Sequence, residues 1–216
     1  YRVFDEKRYF TPGKGPGLFE VKDKKIALTV CEDIWHTKAI RQASRRGADL
    51  VLNLNASPFH RNKLQERKEL LQSHANKFQL PIVYANQVGG QDELVFDGAS
   101  MVVCPKSGLK VQLDSFKVDN KIAEFSESNS GFLETPAVEF RDRIDLEDVY
   151  DALVLGARDY IKKNGFPGAI IGSSGGIDSA LTAVIVADAL GPENLKTYMM
   201  PYKYTAAMSV EDAQEL

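Results

Sequence analysis

Two short runs carry the side chains best suited to chemistry. The first is Ile170-Ile171-Gly172-Ser173-Ser174-Gly175-Gly176-Ile177-Asp178-Ser179, in which glycines and small hydroxyls lie between an apolar stretch and a carboxylate. Glycines let a backbone approach a ligand closely, and a helix start after a buried strand presents N–H groups to an anion. The run predicts a nucleotide phosphate site. It lacks the lysine of G-x-x-x-x-G-K-[ST] and the spacing of G-x-G-x-x-G, so neither a kinase-type P-loop nor a dinucleotide fingerprint fits. The plain alternative is a solvent-exposed strand-to-helix turn. The second run is Cys31-Glu32-Asp33-Ile34-Trp35, which follows an apolar strand at the point where a side chain can project from a sheet into a cleft. A thiolate there would be a nucleophile; by itself, a cysteine at a strand end is more often a small core residue.

Elements to position both runs are readable from periodicity. A strand at Lys25 to Val30, a helix from about His36 to Arg46 and a strand at Leu50 to Asn55 suggest parallel pairing. Leu64, Leu71, Ala75 and Phe78 mark a helix over Lys63 to Phe78, and Ile82 to Ala85 returns as a strand. Strands flank the turn at Ser107-Gly108, and hairpin-like strands are expected near residue 125. The polar stretch from Ser126 to Phe140 reads as a linker. Beyond it, Asp145 is a candidate N-cap for a helix ended by Gly165 and Pro167. A buried strand, the glycine-rich loop and a helix from Ala180 to Leu190 follow, then a strand at Leu195 to Met200 and a helix begun by Ser209 with Asp212 in a capping-box arrangement.

Composition narrows the partners. The 216 residues are 44% hydrophobic with a net charge of -3, which allows a sizeable core and gives no basic footprint for nucleic acid. Cys31 and Cys104 show neither disulfide nor zinc spacing, and His36, His60 and His74 share no metal-ligand spacing, so a reducing cytoplasm is the simplest compartment. No apolar run reaches membrane-spanning length.

Ser174-Gly175-Gly176-Ile177-Asp178-Ser179 resembles the pyrophosphate loop of the ATP pyrophosphatases, with Ser173 standing where an apolar residue is expected. VFDEKRYFTPG, TVCEDIWH, NLNASPFHRNK and YANQVGGQDELVFDGAS together resemble the nitrilase-type glutaminase domain of glutamine-dependent NAD synthetases. The resemblance implies an α/β chain in which a nitrilase-like α-β-β-α sandwich (1–126) and a linker (127–140) precede an N-type ATP pyrophosphatase domain (141–216). That last domain would be Rossmann-like, of the adenine nucleotide alpha hydrolase type. By the same resemblance Cys31 is the catalytic nucleophile and Glu6 a further glutamate near it, while Tyr1, Ser57 and Lys63 bind glutamine. Without it, Glu6 would be a solvated acid, Ser57 a turn residue and Lys63 a helix-surface lysine. Gly172, Ser173, Ser174, Gly175, Gly176, Ile177, Asp178 and Ser179 would bind ATP, with magnesium on Asp178.

The activity so implied is amidation of deamido-NAD to NAD, with ammonia from glutamine channelled to an adenylated intermediate, in a homo-oligomer that binds neither nucleic acid nor membrane. GMP synthetase shares the loop, but its glutaminase carries a different cysteine elbow. Tyr202 and Ala206 depart from the pattern, standing where small hydroxylated residues are expected. The family's general-base glutamate and its lysine would precede Tyr1, so an internal segment, inactive alone in glutamine hydrolysis and NAD formation, is expected. A stand-alone nitrilase-like amidohydrolase and an inactive remnant serving as a binding module remain as alternatives.

Overall fold

The computed structural model describes residues 8–125, 139–141 and 145–216. Tyr1, Glu6 and most of the expected linker lie outside the described residues. The chain forms two compact units: one comprises Tyr1–Val88 with Phe96–Arg143, the other Gly89–Val95 with Ile144–Leu216.

In the first unit a six-stranded sheet has the order β1-β2-β3-β4-β7-β8. Strand β1 (Gly17–Val21) pairs antiparallel with β2 (Lys24–Val30), across a turn whose residues Lys22 and Asp23 both have positive φ, 46° and 63°. That handedness matches the strand twist of a hairpin. Strand β2 then runs parallel to β3 (Leu50–Asn55) and β3 to β4 (Ile82–Asn86), joined by α1 (Thr37–Arg45) and α2 (Lys63–Phe78). After the hairpin β5 (Val88–Gln91) and β6 (Leu94–Asp97), strands β7 (Met101–Cys104) and β8 (Gly108–Gln112) close the sheet antiparallel.

The core of this unit is built by alternation along the strands and by the helical spacing of α2. Ala27, Val51 and Ile82 from the parallel strands and Ile40, Ala43, Leu71 and Ala75 from the two helices are all fully buried in one cluster. Burying a side chain such as Leu71 contributes about 1.5–3 kcal/mol. Gln79, at φ 51°, ends α2 in the left-handed conformation, and Pro81 follows before the chain enters β4. No strand follows β8 among the described residues up to Phe125. Instead of the expected hairpin-like strands, a loop turns through Asp119, whose carboxylate accepts from the backbone N–H groups of Asp114 and Asn120 at 3.1 and 2.7 Å.

In the second unit α3 (Asp145–Lys163) packs on α4 (Ile177–Leu190), and β9 (Ala169–Ser173) pairs parallel with β10 (Leu195–Met199) before α5 (Ala207–Glu215). Asp159 on α3 accepts from the backbone N–H of Gly90 at 2.8 Å, which seats the tip of the β5–β6 hairpin in this unit. Three expectations shift here. Strand β9 is buried only at its last residue, Ser173, and Ile170 is 72% exposed, because among the described residues β10 alone flanks the strand. Helix α4 starts at Ile177, which brings Asp178 and Ser179 into its first turn. Helix α5 starts at Ala207, so Ser209 lies inside it and is not its cap.

Candidate functional site

The parallel register places the carboxyl ends of three strands side by side. Val30 lies opposite Leu54 and Leu54 opposite Ala85, so Cys31, Asn55 and Asn86 leave the sheet in adjacent positions. A crevice at such strand ends is where open α/β sheets receive ligands. Cys31 opens a 3₁₀ turn, Cys31–Trp35, and holds φ at 46°, a strained conformation for a residue with a β-carbon. The turn is pinned at three points. Asp33 accepts from the N–H of Val30 at 3.0 Å, Ile34 is fully buried, and its carbonyl accepts from Nε2 of buried His74 at 3.0 Å. Strain at one residue persists only where its surroundings impose it, and these contacts do so.

Ser57 is buried just beyond β3, and its backbone N–H donates to Oδ1 of Asn86 at 3.0 Å. Asn86 in turn donates to the Gly98 carbonyl at 3.0 Å, and its own N–H donates to Oγ of Ser100 at 2.9 Å. Below this row, Asn55 donates to Asn53 at 2.7 Å and Asn53 to Thr29 at 2.9 Å, a polar ladder across the strand ends. Lys63, the first residue of α2, lays its ammonium 3.7 Å from the centre of the Trp35 ring and 3.1 Å from Oε2 of Glu66.

Sequence reasoning missed the ion pair between Arg67 and Asp97, at 2.6 and 3.0 Å with both side chains buried. Its signal was present, because Arg67 sits at i+3 from Leu64 on the apolar stripe of α2. Burial pushes the nearby Tyr84 phenol up to about 12; Arg67 and Ser57 oppose the rise, and Cys31 and Asp97 add to it. Arg67, Asp97 and Tyr84 thus form a buried polar group whose Tyr84 lies within electrostatic reach of Cys31.

In the second unit the glycine-rich loop closes on itself. Oγ of Ser179 donates to the Gly176 carbonyl at 2.9 Å, so the 3.1 Å contact between the two hydroxyls has Ser174 as donor, while the N–H of Gly176 donates to Oγ of Ser174 at 3.3 Å. Gly176 precedes α4 and has no side chain to cap it, which leaves the first-turn N–H groups without a cap from that position. Gly175 is dictated twice over: its φ is 74°, and an added β-carbon would collide with the Ser209 carbonyl of α5. Ser173, Gly175, Gly176 and Ser179 line a cavity of about 440 Å³, with Asp212 and Glu215 of α5 on its far wall. Ser173 is buried and its hydroxyl has no partner among the described residues. Asp178 is exposed in the first turn of α4. Among the described residues no group of three or more His, Cys, Asp and Glu side chains is placed to hold a metal.

The carbon–nitrogen hydrolase family model matches residues 2–128, more than half of the sequence. The chain belongs to the carbon–nitrogen hydrolase family. The NAD synthase family model matches residues 149–216. Over its whole length the chain is 42% identical to the glutamine-dependent NAD(+) synthetase of Acinetobacter baylyi and 38% identical to that of Aquifex aeolicus, covering 39% and 43% of those proteins. It thus spans about two fifths of the length of these relatives. The structure of the glutamine-dependent NAD+ synthetase from Acinetobacter baumannii in complex with adenosine diphosphate superposes with a TM-score of 0.89 at 46% identity, over 100% of this chain and 40% of that one. The nitrilase-like fold implied for the first carbon–nitrogen hydrolase segment is therefore present, and NAD synthase sequence follows it.

Proposed function

We propose that this chain takes part in glutamine- and ATP-dependent amidation of deamido-NAD to NAD, with Cys31 as the nucleophile of the glutaminase step. The Cys31 thiol gives up its proton and its sulfur attacks the side-chain amide carbon of glutamine; the C–N bond breaks, the nitrogen takes up that proton and leaves as ammonia, and water hydrolyses the thioester to glutamate and the free thiol. Ser57 and Lys63 bind the glutamine, Lys63 meeting its carboxylate as a point charge. Tyr1 and Glu6, assigned to the same site from the sequence, lie outside the described residues.

At the second site the nicotinate carboxylate oxygen attacks the α-phosphorus of ATP and pyrophosphate departs; ammonia then displaces AMP. Residues 172–179 receive the phosphates, on the hydroxyls of Ser174 and Ser179 and the first-turn N–H groups of α4. Asp178, a hard oxygen donor beside these hydroxyls, suits magnesium, which takes most of its ligands from phosphate and water. When bound, that ion would neutralise phosphate charge. The cytoplasm, where these small molecules are available, is the compartment proposed.

The observation that carries this reading is the presence in one chain of a strained, strand-end cysteine and a closed S-G-G-x-D-S loop at a helix start. A stand-alone amidohydrolase would leave the second without use. The deciding experiment measures NAD formation by the full-length gene product carrying these residues. Cys31→Ala should abolish glutamine-supported synthesis and spare ammonia-supported synthesis. Unchanged glutamine-supported synthesis would overturn the assignment of Cys31, and ATP-independent activity would overturn that of the loop.

A further inference from the structure

The 3₁₀ turn that begins with Cys31 ends with Trp35, so the nucleophile and one large aromatic share a single short element. That element is bolted to α2 by the buried hydrogen bond from His74 to the Ile34 carbonyl. At the other end of α2, Lys63 rests its ammonium 3.7 Å from the centre of the Trp35 ring. The same ammonium is 3.1 Å from Glu66, and the Lys63 side chain is only 16% exposed. A lysine free in solvent samples many rotamers, and binding a carboxylate would require it to be ordered first. Here stacking and pairing order it in advance.

We infer that Trp35 is a positioning residue that holds Lys63 at a fixed reach from Cys31, so that the turn gauges the distance between the amide and the carboxylate of the substrate. The inference rests on the reading of Lys63 as the partner of the glutamine carboxylate. Because Trp35 and Cys31 belong to one pinned turn, the cation is referenced to the nucleophile's own backbone. An ω-amide acid shorter by one methylene cannot meet both ends, and an amide without the carboxylate gains nothing from the lysine. Trp35 thereby favours glutamine over asparagine and over simple amides without touching the reacting atoms.

The test uses the full-length gene product and follows ammonia release from glutamine, with ammonia-supported NAD formation as the check that the variants are folded. Trp35→Leu should raise KM for glutamine about tenfold, the order of one partly desolvated cation–π contact, with kcat changed less than threefold. Trp35→Phe, which keeps a weaker π face, should give a smaller rise. Lys63→Met should raise KM by at least as much, and Trp35→Leu or Trp35→Phe should add nothing in the Lys63→Met background. Preference for glutamine over asparagine should fall in parallel. If Lys63→Met leaves KM unchanged, the reading of Lys63 fails, and the inference with it. If Lys63→Met raises KM but the Trp35 variants do not, or if their effects add to that of Lys63→Met, the inference alone is overturned. Should Trp35→Leu not fold, the Phe variant with and without Lys63→Met decides the matter by the same criterion.

Discussion

Single residues in this molecule are fixed by what surrounds them more than by their own preferences. Cys31 holds a positive φ that a β-carbon disfavours, because Asp33, Ile34 and His74 fix the turn around it. Ser173 is the opposite case. Its hydroxyl is buried at the end of β9 without a partner among the described residues, where the family resemblance implies an apolar side chain. A buried hydroxyl that has lost its water and gained no acceptor carries an uncompensated desolvation cost. Ser173→Ala is therefore expected to stabilise the second unit by about 1 kcal/mol, seen as a rise in its melting temperature. A fall instead would show that the hydroxyl has a partner in solution.

At the level of elements, α2 ties the first site together through one face. Leu64, Arg67, Leu71, His74 and Ala75 are its buried residues, so the face that packs on the sheet also carries a charge and an imidazole inward. Burial lowers the His74 pKa below its ordinary 6.5; the hydrogen bond to Ile34 opposes this shift and Lys77 adds to it. The unfolded chain takes up this proton near pH 6.5 and the folded one only at lower pH, so in that interval the unfolded state binds more protons. The contribution of His74 is complete above about 6.5 and declines as the pH falls toward the folded value. Urea midpoints of the first unit should drop through that range, and His74→Gln should flatten the slope; an equal slope in both proteins would remove His74 as the cause.

These elements were largely legible in advance. The strand at Leu50–Asn55 and the helix at Lys63–Phe78 have the limits their periodicity implies. The turn between β1 and β2 was not visible, because Lys22-Asp23 adopts a geometry normally announced by Asn-Gly. Trp35 and Lys63 are far apart in sequence, and only the fold brings them together.

On the scale of the whole molecule, the two candidate sites fall in two compact units, and each depends on a separate backbone constraint. In the first it is the left-handed Cys31; in the second it is Gly175, seated against the Ser209 carbonyl. The sequence marked Gly175 as part of a phosphate loop, but the packing of α5 against it appears only in the fold. Substituting Gly175 by Ala would displace either the loop or α5, since carbonyl and β-carbon cannot share that space. The four loop hydrogen bonds that join Ser174, Gly176 and Ser179 would be disturbed with it. In the full-length gene product, Gly175→Ala should consequently abolish NAD formation with ammonia and with glutamine alike, whereas loss of the Cys31 thiol should affect glutamine alone. Glutamate release measured on the same Gly175→Ala sample should persist, because the residues described as fixing the Cys31 turn and Asn86, namely Asp33, Ile34, His74, Ser57, Gly98 and Ser100, all lie in the first unit. Retained ammonia-supported synthesis would show that the loop tolerates the β-carbon and would remove Gly175 from the phosphate site.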